Sequence, residues 1–354
     1  MKVLMLSTDR TVFTPGSSTR KRMEEYAETF GSLSVIVLCD AGKTPLIGET
    51  LSLYPTNSPS RYVRWRDAIR IGKEFPVPDV VTAEDPFETG LAASKIAHAL
   101  NTPLHIQVHT DFIASGFAKA HFPFNRLRLL IAAQVLKRAD RIRVVSERIK
   151  EKIERKYHPE APISVIPIYV DIERYRNMEK TRHPKFKTML LVVSRLEKEK
   201  PLRTAIEALK KARDAGIDCG LVIVGAGRQE GYLKRSAKEL GVSAWVEFTG
   251  FQNSVVPYYA MADLVLHLGA SYEGYGMGII ESLAGGVPVL SLDVGIAKQA
   301  GAMIASGDFG DALVRYLKSA ASKEPARLLY MPYASKEEYL RKYAEDLALS
   351  RIPK

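Results

Sequence analysis

Two cysteines in 354 residues, Cys39 and Cys219, are too few for a disulfide framework, and each lies in an apolar run ("VIVLC", "CGLVIV"). They read as buried thiols of a reducing compartment, not as a bridge or a metal site. No Asp-x-Asp occurs, so nothing of that spacing asks for a carboxylate-bound divalent metal. No apolar run approaches the length of a bilayer-spanning helix. The opening "MKVLMLSTDR" has too short an apolar stretch for a signal peptide and reads as a first β-strand. The expectation is a cytoplasmic protein that meets a membrane, if at all, peripherally at its inner face. Solenoid repeats and low-complexity tracts are missing as well.

Acidic residues are outnumbered, 40 against 51 Lys and Arg, for a formal charge of +11. The shortfall is uneven: residues 1–187 carry 30 Lys and Arg against 21 Asp and Glu, and the rest carry 21 against 19. The first half is therefore suited to an anionic surface or ligand. "RYVRWRDAIRIGK" sets Tyr62 and Trp65 among five cations. "FAKAHFPFNRLRLLIAAQVLKRADRIRVVSERIKEKIERK" interleaves cations with Phe122, Phe124, Leu127, Leu130 and Ile131. Basic helices with apolar edges suit an anionic membrane interface; the alternative is a core helix with a charged outer face. These stretches form no known nucleic-acid-binding module, so nucleic acid is not expected as a partner.

The composition is 46% hydrophobic and 26% charged, as in a soluble globular protein, and the length suits two domains. Strand-length apolar runs alternate with helix-period segments throughout, the pattern of α/β units on parallel sheets. In the first half the strands are "VLML", "LSVIVLC", "DVVTA", "LHIQVHT", "RIRVV" and "ISVIPI"; in the second they are "TMLLVVS", "CGLVIVGAG", "WVEFTGF" and "LVLHLGA". The spacing predicts a first domain over 1–172, a polar connection over 173–187, a second domain over 188–330 and a separate C-terminal helix within 331–354. In that helix Ser335 and Glu338 fit a capping box, with Tyr339, Tyr343 and Leu347 on one edge.

Chemistry concentrates in two places. "VVSRLEKEKPLRTAIEA" puts Arg195 and Lys200 between a strand end and a helix, which suits a diphosphate, although taken alone the sign-alternating "EKEK" is better explained as a solvated charged loop. "SYEGYGMGIIESLAGGVPVLS" brackets a glycine-rich turn and an apolar helix start between Glu273 and Glu281. Gly274, Gly276 and Gly278 let backbone approach a ligand, and carboxylates accept well from sugar hydroxyls. A capping acid is an adequate account of Glu273. For Glu281 the structural alternative is a semi-buried acid left unpaired, which is costly.

These stretches resemble the retaining glycosyltransferases of family 4, across nearly the whole chain. The E-x₇-E pair with "SLAGGVPV" is similar to the family's "EAMAxGxPVV", and "SRLEKEK" to "GRLxxEKG". "LVIVGAG", "VEFTGF" and "PYYAMADLVLHLGASYEGYG" follow in the family's order. The resemblance implies a GT-B fold, two Rossmann-like domains with parallel sheets facing across a cleft, the C-terminal helix returning to the first domain. It implies metal-independent transfer of a sugar, with retention, from a nucleoside-diphosphate donor to a glycan or lipid-linked acceptor, with no cofactor. Arg195, Lys200 and Gly16 would hold the diphosphate. Glu281 would hold the ribose, and Phe251 would stand at the base. Glu273, with the backbone of Gly276, Met277 and Gly278, would hold the sugar, which His109 would face.

For His109 the alternative is a histidine satisfied at a strand end. For Glu84, Asp85 and Asp111, a place lining the acceptor side stands beside a purely structural one. The chain departs from the family pattern at Ser194, Pro201, Ile296 and Gln299; the last two flank the donor pocket. Two other readings stand alongside: a sugar-nucleotide epimerase or phosphorylase of the same fold, and a nicotinamide oxidoreductase through Gly225 and Gly227 of "LVIVGAGRQEG". Against the latter, a third glycine falls one place late.

Overall fold

The protein is described from a computed structural model covering residues 1–120, 124–319 and 326–351; Phe122 lies outside the described residues. The chain divides into two compact units, Met1–Pro167 with Tyr333–Lys354, and Ile168–Pro332.

Unit 1 begins with β1 (Lys2–Ser7), α1 (Ser18–Phe30) and β2 (Ser32–Val37). A short pair, β3 (Leu46–Ile47) and β4 (Leu51–Pro55), follows, then α2 (Arg64–Lys73), β5 (Val80–Ala83) and α3 (Glu88–Leu100). Next come β6 (Leu104–Val108), α4 (Ser115–Lys119), α5 (Phe124–Arg138), β7 (Arg141–Val144), α6 (Glu147–Tyr157) and β8 (Ile163–Val165). The sheet order is β3-β4-β2-β1-β5-β6-β7-β8, parallel apart from the antiparallel β3–β4 edge. Helices cover both faces of such a sheet, which is why its central strands are buried nearly throughout and read as continuous apolar runs. The β3–β4 edge pair has no such run, and the apolar pattern does not announce it.

Unit 2 opens with α7 (Glu173–Arg176), β9 (Thr188–Val193), α8 (Arg203–Asp214), β10 (Cys219–Val224), α9 (Glu230–Glu239) and β11 (Val246–Gly250). It continues with α10 (Val256–Met261), β12 (Leu264–His267), α11 (Met277–Ala284), β13 (Val289–Ser291), α12 (Ala297–Ala300), β14 (Met303–Ile304) and α13 (Phe309–Lys318). Its sheet is parallel, in the order β11-β10-β9-β12-β13-β14. Helix α8 buries Ala205, Ile206, Leu209 and Ala212 and is followed by Gly216 at φ +78°.

The segment 173–187, expected as a connection, belongs to unit 2. Tyr175 of α7 is buried edge-on to Tyr259, with ring centroids 5.5 Å apart. Phe186 lies so close to Gly220 that a Cβ there would come within 2.3 Å of its ring.

The last helix, α14 (Lys336–Leu349), packs in unit 1, where Tyr343 lies edge-on to Tyr26 at 5.2 Å and Phe30 at 5.4 Å. The Ser335 hydroxyl accepts from the Glu338 N–H at 3.2 Å, while Glu338 accepts from the Ala334 N–H at 2.6 Å, one residue before the usual capping-box partner. Buried Asp346 fastens the helix by contacting His105 Nε2 at 3.0 Å and accepting a bond from Arg141. Burial alone would raise its pKa, but these partners overcome it and hold the carboxyl at about 2.

Candidate active site

In unit 2 the sheet order reverses beside β9: the chain builds outward through β10 and β11, then returns to lay β12 on the other flank of β9. At such a switch point the two connecting loops part, leaving a crevice beyond the strand carboxyl ends. A pocket of about 260 Å³ lies there, lined by Val192 to Arg195 at the end of β9 and Leu266 to Gly269 at the end of β12, together with Lys200, Glu273, Met277 and Gly278.

Two leucines fix the direction of Lys200. Leu196 and Leu202, both buried, pin the intervening loop into the core at either end, and Leu196 exchanges backbone bonds with the next loop (N–H to Ala226 O 2.9 Å; O from Gln229 N–H 2.8 Å). The turn between them aims Lys200 inward, where its ammonium meets Glu273 Oε2 at 2.5 Å. Both side chains are largely enclosed, 16% and 17% exposed. The carboxylate rests on Gly269, where a Cβ would stand 2.5 Å from Oε2. On its other side His267 Nε2 lies 3.8 Å from Oε1 and has no hydrogen-bond partner. Burial chiefly, and Lys200's charge with it, lowers the His267 pKa against the pull of Glu273, so the ring is neutral at ordinary pH.

Gly276, at φ +99°, turns the chain into α11 in a conformation that L side chains rarely adopt, and no side chain caps the helix. The first-turn N–H groups of Met277 and Gly278 therefore start at the pocket wall. One turn on, Glu281 accepts a 3.0 Å bond from the Tyr259 hydroxyl, and Tyr175 of α7 supplies a second hydroxyl. This corrects the expectation that a structural Glu281 would be unpaired. Burial raises its pKa against those two bonds, and a carboxylate holding two hydroxyls still has acceptor sites to offer. Glu281 is not itself part of the lining, which it reaches through Tyr259.

Loop packing accounts for Gly225 and Gly227. A Cβ on Gly225 would stand 1.9 Å from Ser194 O, and one on Gly227 2.3 Å from Leu196 O. These glycines let the loop after β10 lie against the loop after β9, a sufficient reason for "GAG" that needs no dinucleotide. Gly295 does the same on the far side, where a Cβ would meet Tyr275 O at 2.2 Å.

The structure thus brings together Arg195, Lys200, Glu273, Met277 and Gly278 around one pocket, with Gly276 and Glu281 adjoining. Arg195 sits on the rim, its side chain 75% exposed and 3.7 Å from Glu199. Phe251, 74% exposed, follows β11, two strands away from β9.

Gly16 and His109 belong to unit 1. Gly16, at φ +76° with open space around it, precedes the Ser17 cap of α1. His109 follows β6, its Nε2 3.2 Å from Gln107 Oε1; burial first, then Arg143 and Arg22, push its pKa down to about 3. A neutral imidazole of that kind can hydrogen-bond a sugar but cannot carry positive charge at neutral pH. Asp111 pairs with Lys152, and Glu84 accepts from Ser7. Asp85, which accepts from the Phe87 N–H at 2.7 Å, is pushed up to about 6 by burial. All three acids thus have structural partners.

Three residues escaped the sequence reading: His267, inside an apolar strand, and Tyr175 and Tyr259, hidden in a polar connection and a helix motif.

Residues 9–174 match the family profile described as Glycosyltransferase Family 4, and residues 173–345 match Glycosyl transferases group 1. Among curated proteins, a GDP-mannose-dependent alpha-(1-6)-phosphatidylinositol dimannoside mannosyltransferase of Mycobacterium tuberculosis is 35% identical over 134 residues, 35% of this chain and 34% of that protein. The chain spans between about a third and a half of the length of the first such relatives. Among solved structures, Anabaena HepE in complex with UDP aligns over 99% of this chain and 96% of its own, with TM-score 0.68 and 16% identity. The lipopolysaccharide outer core galactosyltransferase WaaB aligns over 98% and 99%, with TM-score 0.71 and 17% identity. Identities this low speak to the fold alone, which is GT-B.

Proposed function

We propose that this chain, which belongs to the group 1 glycosyltransferases with an amino-terminal half of the Family 4 type, transfers a sugar from a nucleoside-diphosphate donor to a glycan or lipid-linked acceptor. The observation that carries this reading is the meeting of Lys200 and Glu273 at the β9/β12 switch point, beside the uncapped start of α11.

Breaking the bond between sugar and diphosphate leaves negative charge on the departing phosphate and an oxocarbenium-like sugar. Lys200 and the α11 N-terminus supply fixed positive ends for that charge, the kind of preorganised stabilisation that lowers such barriers most, and the rim cation Arg195 adds one that the ligand orders. Glu273 and the backbone of Gly276, Met277 and Gly278 hold the sugar, Glu281 the ribose, and Phe251 stands at the base. Gly16 and neutral His109 serve from unit 1, His109 as a hydrogen-bonding group. The route is metal-independent and retaining, with the donor phosphate taking the acceptor's proton. Among the described residues no group of three or more His, Cys, Asp or Glu is arranged to hold a metal ion.

The relatives' names mention GDP-mannose and HepE was captured with UDP, so both nucleotides enter the test. In a thermal-shift experiment one of them, at a hundredfold excess over its Kd, should contribute about 2.7 kcal/mol and raise the melting temperature by roughly 5–10 °C. A response to NAD and to neither nucleotide overturns the proposal.

The acceptor side carries a second expectation, that unit 1 docks on an anionic membrane. Tyr62, Phe124, Leu127 and Leu130 are exposed apolar side chains. Arg61 stacks over the Tyr62 and Phe124 rings, at 4.9 and 5.2 Å. Each cation near an anionic surface contributes about 1 kcal/mol. Among the described residues no helix is long and apolar enough to cross a membrane. Co-flotation with phosphatidylserine vesicles at low salt, lost at high salt, is the expected result; no flotation at low salt removes the idea.

A further inference from the structure

The site poses a question of charge. Lys200, assigned to the phosphate, and Glu273, assigned to the sugar, hold one another at 2.5 Å inside a largely enclosed pocket. An arriving diphosphate must draw the ammonium toward itself, because it brings at least two negative charges to a place where one already sits. Glu273 then loses its cation, and it has little room to retreat. Its Oε2 lies over Gly269, and Val294 stands 2.9 Å from the position a Cβ of that glycine would take. A carboxylate held there without a donor is costly.

His267 is the group placed to meet that need. It ends β12, its side chain is 12% exposed, and its Nε2 lies 3.8 Å from Glu273 Oε1 with no hydrogen-bond partner of its own. The same nitrogen faces the turn at Gly276, 3.6 Å from where a Cβ would stand. A buried ring nitrogen without a partner is unusual in a folded protein. Closing the gap by less than about 1 Å, well within side-chain motion, makes a normal hydrogen bond.

We infer that Lys200 and Glu273 form a latch across the donor site, and that His267 is the positioning residue that receives the Glu273 carboxylate when Lys200 turns to the phosphate. In its neutral form the ring donates Nε2–H to Oε1, keeping the carboxylate aimed at the sugar hydroxyls while the ammonium serves the leaving group. The role assigned to His267 acts through Glu273. This rests on the donor-site reading above.

The test is titration of UDP and GDP into the wild type and four variants, each checked for its melting temperature. Glu273→Gln removes the competitor for Lys200 and should bind the preferred diphosphate several-fold tighter than the wild type. His267→Leu leaves Glu273 dependent on Lys200 and should bind it about tenfold more weakly. His267→Asn, which keeps an N–H donor, should restore most of that loss. The double variant His267→Leu/Glu273→Gln should bind as tightly as Glu273→Gln alone, because no carboxylate is left to be held.

Undiminished binding in His267→Leu overturns the inference. So does a double variant weaker than Glu273→Gln by the same factor that separates His267→Leu from the wild type, since that additivity marks a merely structural histidine. Should His267→Leu fail to fold, His267→Val, whose branched side chain suits a strand, repeats that arm; and no tightening in Glu273→Gln removes the latch by itself. If the wild type binds neither nucleotide, the donor-site reading fails, an outcome distinct from these.

Discussion

Lys200→Ala should lower kcat/KM for sugar transfer by about 10²–10³-fold, roughly 3–4 kcal/mol of transition-state stabilisation, the usual size of losing one preorganised donor at a developing anion. The reason lies in placement. Lys200 is held between two core leucines, faces into the pocket and is largely shielded from water, so its charge is felt more strongly than a surface charge of equal size. Arg195 is the internal comparison. With its side chain 75% exposed on the rim, it must be ordered by the ligand before it helps, and Arg195→Ala should cost about tenfold or less. The fold should survive both changes, because neither side chain belongs to the apolar core of unit 2. Full turnover in Lys200→Ala would place the phosphate-binding cation elsewhere.

Gly225→Ala should produce the largest loss of stability. The residue sits at φ +137°, which L side chains rarely adopt, and its Cβ would lie 1.9 Å from Ser194 O. Backbone strain of that kind costs about 1–3 kcal/mol, and the collision must be relieved by separating two backbones that exchange hydrogen bonds. More than about 4 kcal/mol is expected, against a total of order 5–15 kcal/mol for a domain. At 2–4 °C per kcal/mol, melting of unit 2 should fall by roughly 8 °C or more. Gly216→Ala is the control: φ is +78° but nothing lies within 4 Å, so only about 1 kcal/mol is expected. Equal melting of the two variants would mean that the loops after β9 and β10 are not packed as described.

Much of this architecture can be read from sequence because parallel strands are buried on both faces. "TMLLVVS", "CGLVIVGAG" and "LVLHLGA" announce β9, β10 and β12 by their apolar runs, and the glycines after β10 and β12 mark crowded strand ends. β3, an exposed edge strand of two residues, and β4, buried but broken by Ser52 and Pro55, give no such signal. Tyr175 is hidden for a different reason: "IERYRNMEK" is polar and aperiodic because α7 lasts a single turn and buries one residue. Pairings across the site are harder still. Sequence spacing shows that Glu273 and Glu281 lie near a helix start, but not that one meets Lys200 and the other two tyrosine hydroxyls. Those contacts depend on how the strand-end loops fold over one another, which the local pattern does not encode. His267 could have been singled out, since a polar ring at the end of "LVLH", two residues before a glycine turn, has nothing in an apolar strand to satisfy it.

At the centre of the account is a cation at the β9/β12 switch point that receives the terminal phosphate of the donor nucleotide. Its most direct test is calorimetric titration of the wild type and Lys200→Ala with nucleoside mono- and diphosphates, UMP against UDP and GMP against GDP. The account predicts that the wild type binds one diphosphate at least tenfold tighter than its monophosphate, a difference of about 1.4 kcal/mol, and that the preference largely vanishes in Lys200→Ala. Equal affinity of the wild type for mono- and diphosphate, or a preference untouched by the substitution, would contradict it.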